Sequence, residues 1–183
     1  MRVITGTARG TNLKAPEGLA TRPTADRVKE AVFNIIQYEI AGDVLDLFAG
    51  SGQLGIEALS RGADKAVFVD ERADAISVIQ ENLRRTHFGE KAQVIRTDYL
   101  SYLSGCRKRF RLIFLDPPYA EKYLENAIKR ISEIDILAEG AIIIAERPLG
   151  KPLEEDFPGL VRSKDYHYGK TTITLFRRAE DAV

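Results

Sequence analysis

Cysteine and histidine are scarce in this 183-residue chain, and each scarcity closes off a kind of chemistry. With Cys106 as the sole cysteine, no internal disulfide can form. His87 and His167 stand far apart in sequence and leave little material for a zinc site, so no metal is expected. No stretch approaches the roughly 18 uninterrupted apolar residues of a membrane span. The opening Met1-Arg2-Val3-Ile4-Thr5-Gly6 also lacks the apolar core of a secretion signal, so the protein is expected to be cytoplasmic, without a membrane partner. Net charge is missing too, with 27 basic residues against 27 acidic ones.

What is present describes a globular protein. A composition 44% apolar and 30% charged over this length suits one well-buried domain, expected to be a monomer, with a small appendage. The charge is unevenly spread. Residues 1–30 carry six Lys/Arg against three Asp/Glu, residues 147–178 carry seven against four, and residues 31–146 carry fourteen against eighteen. Two basic ends therefore flank an acidic body, and such a field can draw phosphate locally while the whole stays neutral. Solvated surface charge would give the same counts.

The run Arg2–Gly6, then Arg9–Leu13, reads as two extended arms around a glycine-containing turn, a hairpin expected to occupy residues 1–20 as an appendage. Within the main domain, 21–183, Thr24 can cap a helix whose apolar positions Val28, Ala31, Val32, Ile35 and Ile36 share one face. From residue 43 the pattern changes to short apolar runs at 44–47, 66–70, 93–96, 112–116 and 141–145, read as strands buried on both faces. Helical stretches at 73–85 and 124–131 lie between them, the alternation of a parallel α/β sheet. Residues 160–178 instead alternate around Tyr168-Gly169-Lys170, predicting an antiparallel hairpin at the sheet's edge.

Three acidic strand ends and a glycine loop carry the chemistry. Asp46-Leu47-Phe48-Ala49-Gly50-Ser51-Gly52-Gln53-Leu54-Gly55 puts GxGxxG between the first strand and a helix, where glycines let a ligand approach the backbone. Asp70 lies 20 residues beyond Gly50, a spacing that equally fits the ribose-binding acid of an NAD-dependent oxidoreductase. Asp70-Glu71 can accept from both hydroxyls of an adenosine ribose. Asp98, followed by Tyr99, can take an adenine amino group, or can simply cap a helix over 99–103.

Asp116-Pro117-Pro118-Tyr119 ends the fourth strand. Two prolines cannot continue a central strand, so they fix a rigid turn at the edge where open α/β sheets bind ligands. The exocyclic amine of adenine or guanine is a poor nucleophile, and methylating it develops positive charge on nitrogen. The Asp116 carboxylate and the Pro117 carbonyl can each accept one N–H, aligning the amine and stabilising that charge without an unusual pKa. Tyr119 offers a stacking face to an unpaired or flipped base.

These residues resemble a known pattern. DLFAGSGQLGIEALSRGA (46–63), VDE (69–71) and DPPY (116–119) are similar to class I S-adenosylmethionine-dependent amino methyltransferases. RVITGTARGTNLKAP (2–16) and RPTADRVKEAVFNII (22–36) narrow the likeness to the RsmD-type family, bacterial 16S rRNA (guanine-N2)-methyltransferases. The resemblance implies a Rossmann-like, seven-stranded, mostly parallel sheet with an antiparallel C-terminal edge and a small N-terminal hairpin. It implies S-adenosylmethionine as cofactor, with Phe48, Ala49, Gly50 and Gly52 along its methionine part, Asp70 at the ribose, and Thr24 approaching from the other side. The target amine is implied at 116–119, and the partner is rRNA in an assembled or partly assembled small subunit. Gln53 stands where many class I enzymes have a third closely spaced glycine and receives no cofactor contact. Arg2, Arg9, Lys14, Arg22 and Arg27 are candidates to grip RNA phosphates from a mobile hairpin. The dense run Arg107–Arg111 precedes a strand on the far side of the sheet and reads as a solubilising loop; Tyr166, His167 and Tyr168 read as packing. N6-adenine DNA methylation or another RNA amino methylation, an NAD-dependent oxidoreductase and a noncatalytic RNA-binding assembly factor are the other readings.

Overall fold

A computed structural model describes residues 1–17, 23–118, 122–153 and 156–181, the side chains of 23–25 excepted. In chain order the elements are α1 (Pro23–Ile35), β1 (Asp43–Asp46), α2 (Gln53–Ser60), β2 (Lys65–Asp70), α3 (Ala73–Thr86) and β3 (Ala92–Arg96). There follow α4 (Tyr99–Gly105), β4 (Phe110–Leu115), α5 (Tyr123–Glu133), β5 (Leu137–Pro148), β6 (Leu160–Tyr168) and β7 (Thr171–Arg178). The strands form one seven-stranded sheet ordered β3-β2-β1-β4-β5-β7-β6. Strands β1 to β5 pair in parallel, while β7 runs antiparallel to both β5 and β6. The expected α/β fold with an antiparallel edge is therefore the observed one. The order also departs from the dinucleotide-binding 3-2-1-4-5-6 arrangement, because β7 is inserted between β5 and β6.

Alternate residues of the central strands feed two cores, as period-two geometry demands. Val44, Phe68, Leu112, Phe114, Ile142 and Ile144 join Val32, Phe33, Ile56 and Ile79 on one face. Leu45, Val67, Val69, Ile113, Leu115 and Ile143 join Leu103, Leu124, Ile128 and Ile131 on the other. Helices α1, α2 and α3 thus cover one side of the sheet, and α4 and α5 the other.

Three expectations are corrected. The strand at 93–96 is not buried on both faces: β3 is the sheet's edge, and its residues are exposed or half-buried. Thr24 does not precede its helix. That helix begins at Pro23, whose fixed φ and missing N–H suit the first helical position, and Thr24 falls inside the first turn. The N-terminal arms, expected to be mobile, are docked. Arg2 and Asn12 form an antiparallel bridge, and Val3 and Leu13 are buried in the same core as α1 and α2.

Side chains from the body hold those arms. Glu57, fully buried on α2, accepts the backbone N–H of Ile4 (2.8 Å) and of Thr5 (3.0 Å). Buried Asn82 on α3 donates to the Lys14 carbonyl (3.0 Å) and accepts the Lys14 N–H (2.8 Å). Its amide also donates to the Ser51 carbonyl at 2.9 Å, tying the second arm to the glycine loop.

Candidate active site

The loop between β1 and α2 turns on Gly52, which caps α2 at φ +76, a backbone conformation that disfavours a side chain. Three residues on, a Cβ at Gly55 would lie 2.4 Å from the Phe68 ring, so α2 can pack this close to β2 only with glycine there. The Gly55 N–H is aimed at Asp46, whose Oδ2 accepts it at 3.0 Å. On β2, Asp70 is held by two backbone donors: Gly50 N–H to Oδ2 and Arg72 N–H to Oδ1, both 2.9 Å. That fixes the carboxylate at the rim of the glycine loop while leaving lone pairs for a ligand.

These elements meet at a cleft of about 980 Å³ outside the carboxyl ends of β1, β2 and β4. The strand order reverses there between β1 and β4, the place where open α/β sheets bind ligands. Asp46, Phe48, Ala49, Gly50, Asp70, Glu71, Asp98, Tyr99, Asp116, Pro117 and Pro118 all line it, so eleven residues named from the sequence are brought to one cavity. Gly52 shapes the loop without lining the cleft. Tyr119 and Arg22 lie outside the described residues, as does the side chain of Thr24. Asp98 caps α4, its Oδ1 accepting the Ser101 N–H at 2.9 Å, and it also borders the cleft. Hydrogen bonding from Ser101 holds its carboxyl below the usual range.

Of the basic candidates, Arg2, Arg9, Lys14 and Arg27 are exposed and none lines the cleft. Lys14 reaches Glu81 at 3.7 Å, a surface pair worth little. The run at 107–111 sits where β4 begins, opposite the cleft, and Arg109 and Arg111 pair with Asp135 and Glu39. Tyr166 and Tyr168 pack on the core, while His167 Nδ1 lies 3.0 Å from the Thr172 hydroxyl.

Sequence reasoning missed several cleft residues. Met1, Ala15 and Pro16 reach it from the docked arms, and Tyr123 and Asn126 from α5. Tyr123 closes an aromatic group with Phe48 and Tyr99, with centroids 5.0 Å apart for Phe48–Tyr99 and 5.6 Å for Tyr99–Tyr123. Amphipathic spacing in 124–131 marked that helix, but not which of its ends faces a ligand.

The floor of the cleft is acidic. Burial, and secondarily Asp70, push the Asp46 carboxyl up to about 7. Asp116 is raised well above the ordinary carboxylate value, first by burial and then by the charges of Glu146 and Asp46. A strand end shared with other carboxylates cannot keep all of them ionised cheaply. Such a floor favours a cation. The Oε1 of Gln53, beside it, is buried without a hydrogen-bond partner, an acceptor left for something that enters the cleft. Size, a fixed ribose-type carboxylate, aromatic faces and a negative floor together fit S-adenosylmethionine, an adenosine joined to a sulfonium cation.

Comparison with known proteins gives a consistent family. Residues 1–177 match the model described as conserved hypothetical protein 95. The Bacillus subtilis protein YlbH is 44% identical over 182 residues, covering 97% of this chain and 99% of that one. Ribosomal RNA small subunit methyltransferase D of Haemophilus influenzae is 38% identical over 84% of this chain and 81% of its own length. Among solved structures, the Escherichia coli protein yhhF superposes with a TM-score of 0.88 at 30% identity, covering 97% of each chain.

Proposed function

The chain belongs to the conserved hypothetical protein 95 family, the RsmD family, and from that membership we propose that it methylates the exocyclic N2 of a guanine in small-subunit ribosomal RNA. The observation that carries the reading is the convergence of the glycine loop, Asp70 and Asp116-Pro117-Pro118 on one acidic cleft. When bound, S-adenosylmethionine supplies an electrophilic methyl group on a positively charged sulfur.

The chain's own residues do the rest. Asp70 and Glu71 take the ribose hydroxyls, and Asp98 takes the adenine amino group. Asp46 and the glycine loop border the cationic end, where a positive charge favours the ionised form of the carboxyl and is held by it in turn. Asp116 and the Pro117 carbonyl accept the two N–H groups of the target amine, and their fixed position on a rigid turn aligns the nitrogen for attack. Tyr119 stacks on the flipped base. Arg2, Arg9, Lys14, Arg22 and Arg27 hold the RNA backbone around the cleft, and the substrate is the small subunit, wholly or partly assembled.

Substituting Asp116→Ala tests this division of labour. Methyl transfer should fall by a factor of 100 or more, about what a lost transition-state acceptor costs. S-adenosylmethionine binding by calorimetry should stay within about threefold of wild type, under 1 kcal/mol. Undiminished turnover would refute the role given to Asp116.

A further inference from the structure

Beside Asp116 stands a second carboxylate that the reading above does not use. Strands β4 and β5 are parallel neighbours in register Leu115↔Ala145, so Asp116, just past the end of β4, lies next to Glu146 of β5. Both line a small cavity of about 60 Å³ beneath the cleft, together with Lys29 and Gln53. Most of its wall is apolar, but these four polar side chains converge on it, enough partners for a water in a space of that size. Two carboxylates placed side by side there are costly to keep ionised together.

We propose that Glu146 is a positioning residue for methyl transfer: it acts through Asp116, making that carboxylate a proton acceptor for the target amine and drawing the proton away through the cavity they share. The inference rests on the amino-methyltransferase reading. In the step itself, the amine lone pair forms the new N–C bond. The C–S bond breaks with its electron pair staying on sulfur, which becomes a neutral thioether. One N–H proton passes to the Asp116 carboxylate, and Glu146 receives it by way of the cavity. The charged groups facing Asp116 are Asp46 on β1, Glu146 on β5 and Lys29 on α1, the last with its ammonium turned to the Arg2 carbonyl at 2.7 Å. Burial and both carboxylates push Asp116 upward, the direction this role requires.

The test joins a titration to a rate. Protein carrying carboxyl-labelled Asp and Glu is titrated by carbon NMR without ligand, with the Asp116 signal identified by its loss in Asp116→Asn. In the wild type, Asp116 and Glu146 should each show the other's inflection, as coupled sites do. In Glu146→Gln the Asp116 midpoint should fall by about one to two pH units. The acid limb of the single-turnover profile on unmethylated small subunits should move with it, and the plateau rate should drop roughly tenfold or more. Glu146→Asp should recover most of both. Independent single-site curves in the wild type would overturn the inference even if the Glu146 variants failed to fold, as would a Glu146→Gln profile superimposable on wild type. No transfer by the wild type to any acceptor overturns the functional reading and this role with it, whereas transfer with uncoupled titration overturns this inference alone.

Discussion

Replacing Asp46 by Asn should stabilise the ligand-free protein, and by an amount that depends on pH. Asp46 is only 2% exposed, and its carboxyl is lifted from 3.8 to about 7, chiefly by burial. A group whose folded pKa is raised stabilises the fold fully below its unfolded value, and that contribution is lost as pH rises through the folded value. Ionised Asp46 therefore costs about 4 kcal/mol well above pH 7, at 1.36 kcal/mol per pKa unit. Asparagine keeps the acceptor for the Gly55 N–H and removes the charge. The advantage of Asp46→Asn over wild type should grow by roughly 2–3 kcal/mol between pH 5 and pH 8.5, all of it above the unfolded value and most of it before pH 7. For a chain of this length that is a widening of about 5–10 °C in melting temperature. Urea unfolding at both pH values measures it, and calorimetry on the same samples should find S-adenosylmethionine binding weakened, since a negative wall of the cleft is gone. A stability offset that is the same at pH 5 and pH 8.5 would refute the reasoning.

Other outcomes follow from packing. Glu57→Ala strands two backbone donors, the Arg61 guanidinium that reaches Glu57 at 2.8 Å, and buried Lys29 at 3.9 Å. It should cost about 3–5 kcal/mol in urea unfolding, the usual result of breaking a buried charge network, with the amides of Ile4 and Thr5 losing hydrogen-exchange protection first. Gly55→Ala places a methyl 2.4 Å from the Phe68 ring. It should destabilise by about 1–3 kcal/mol and loosen S-adenosylmethionine binding by displacing the glycine loop; unchanged melting and affinity would contradict the close packing of α2 on β2.

The elements legible in the sequence were those whose signal is local. Apolar runs marked the strands, period-3.6 spacing marked α1, the stretches between strands marked α3 and α5, and the alternation around Gly169 marked the β6–β7 hairpin. The glycine loop and the acidic strand ends also carried their positions with them, because a parallel sheet collects every such end on one edge. Position within the sheet is not local: nothing in residues 92–96 tells an edge strand from a central one, and β3 was misread for that reason. Docking of the N-terminal arms depends on Glu57 and Asn82, more than 50 residues away, whose charged or polar character in an apolar helix face was the available clue. The raised pKa of Asp116 likewise depends on its burial and then on Glu146, placed beside it only by strand pairing.

The most direct test of the central claim is transfer of labelled methyl from S-adenosylmethionine to small ribosomal subunits from a strain lacking this gene, followed by nucleoside analysis. Wild-type subunits, free rRNA and duplex DNA serve as parallel acceptors. The account predicts N2-methylguanosine on the unmodified subunits or their rRNA, with no label on DNA. Label on DNA adenine, or no label on any acceptor despite tight S-adenosylmethionine binding, would contradict it.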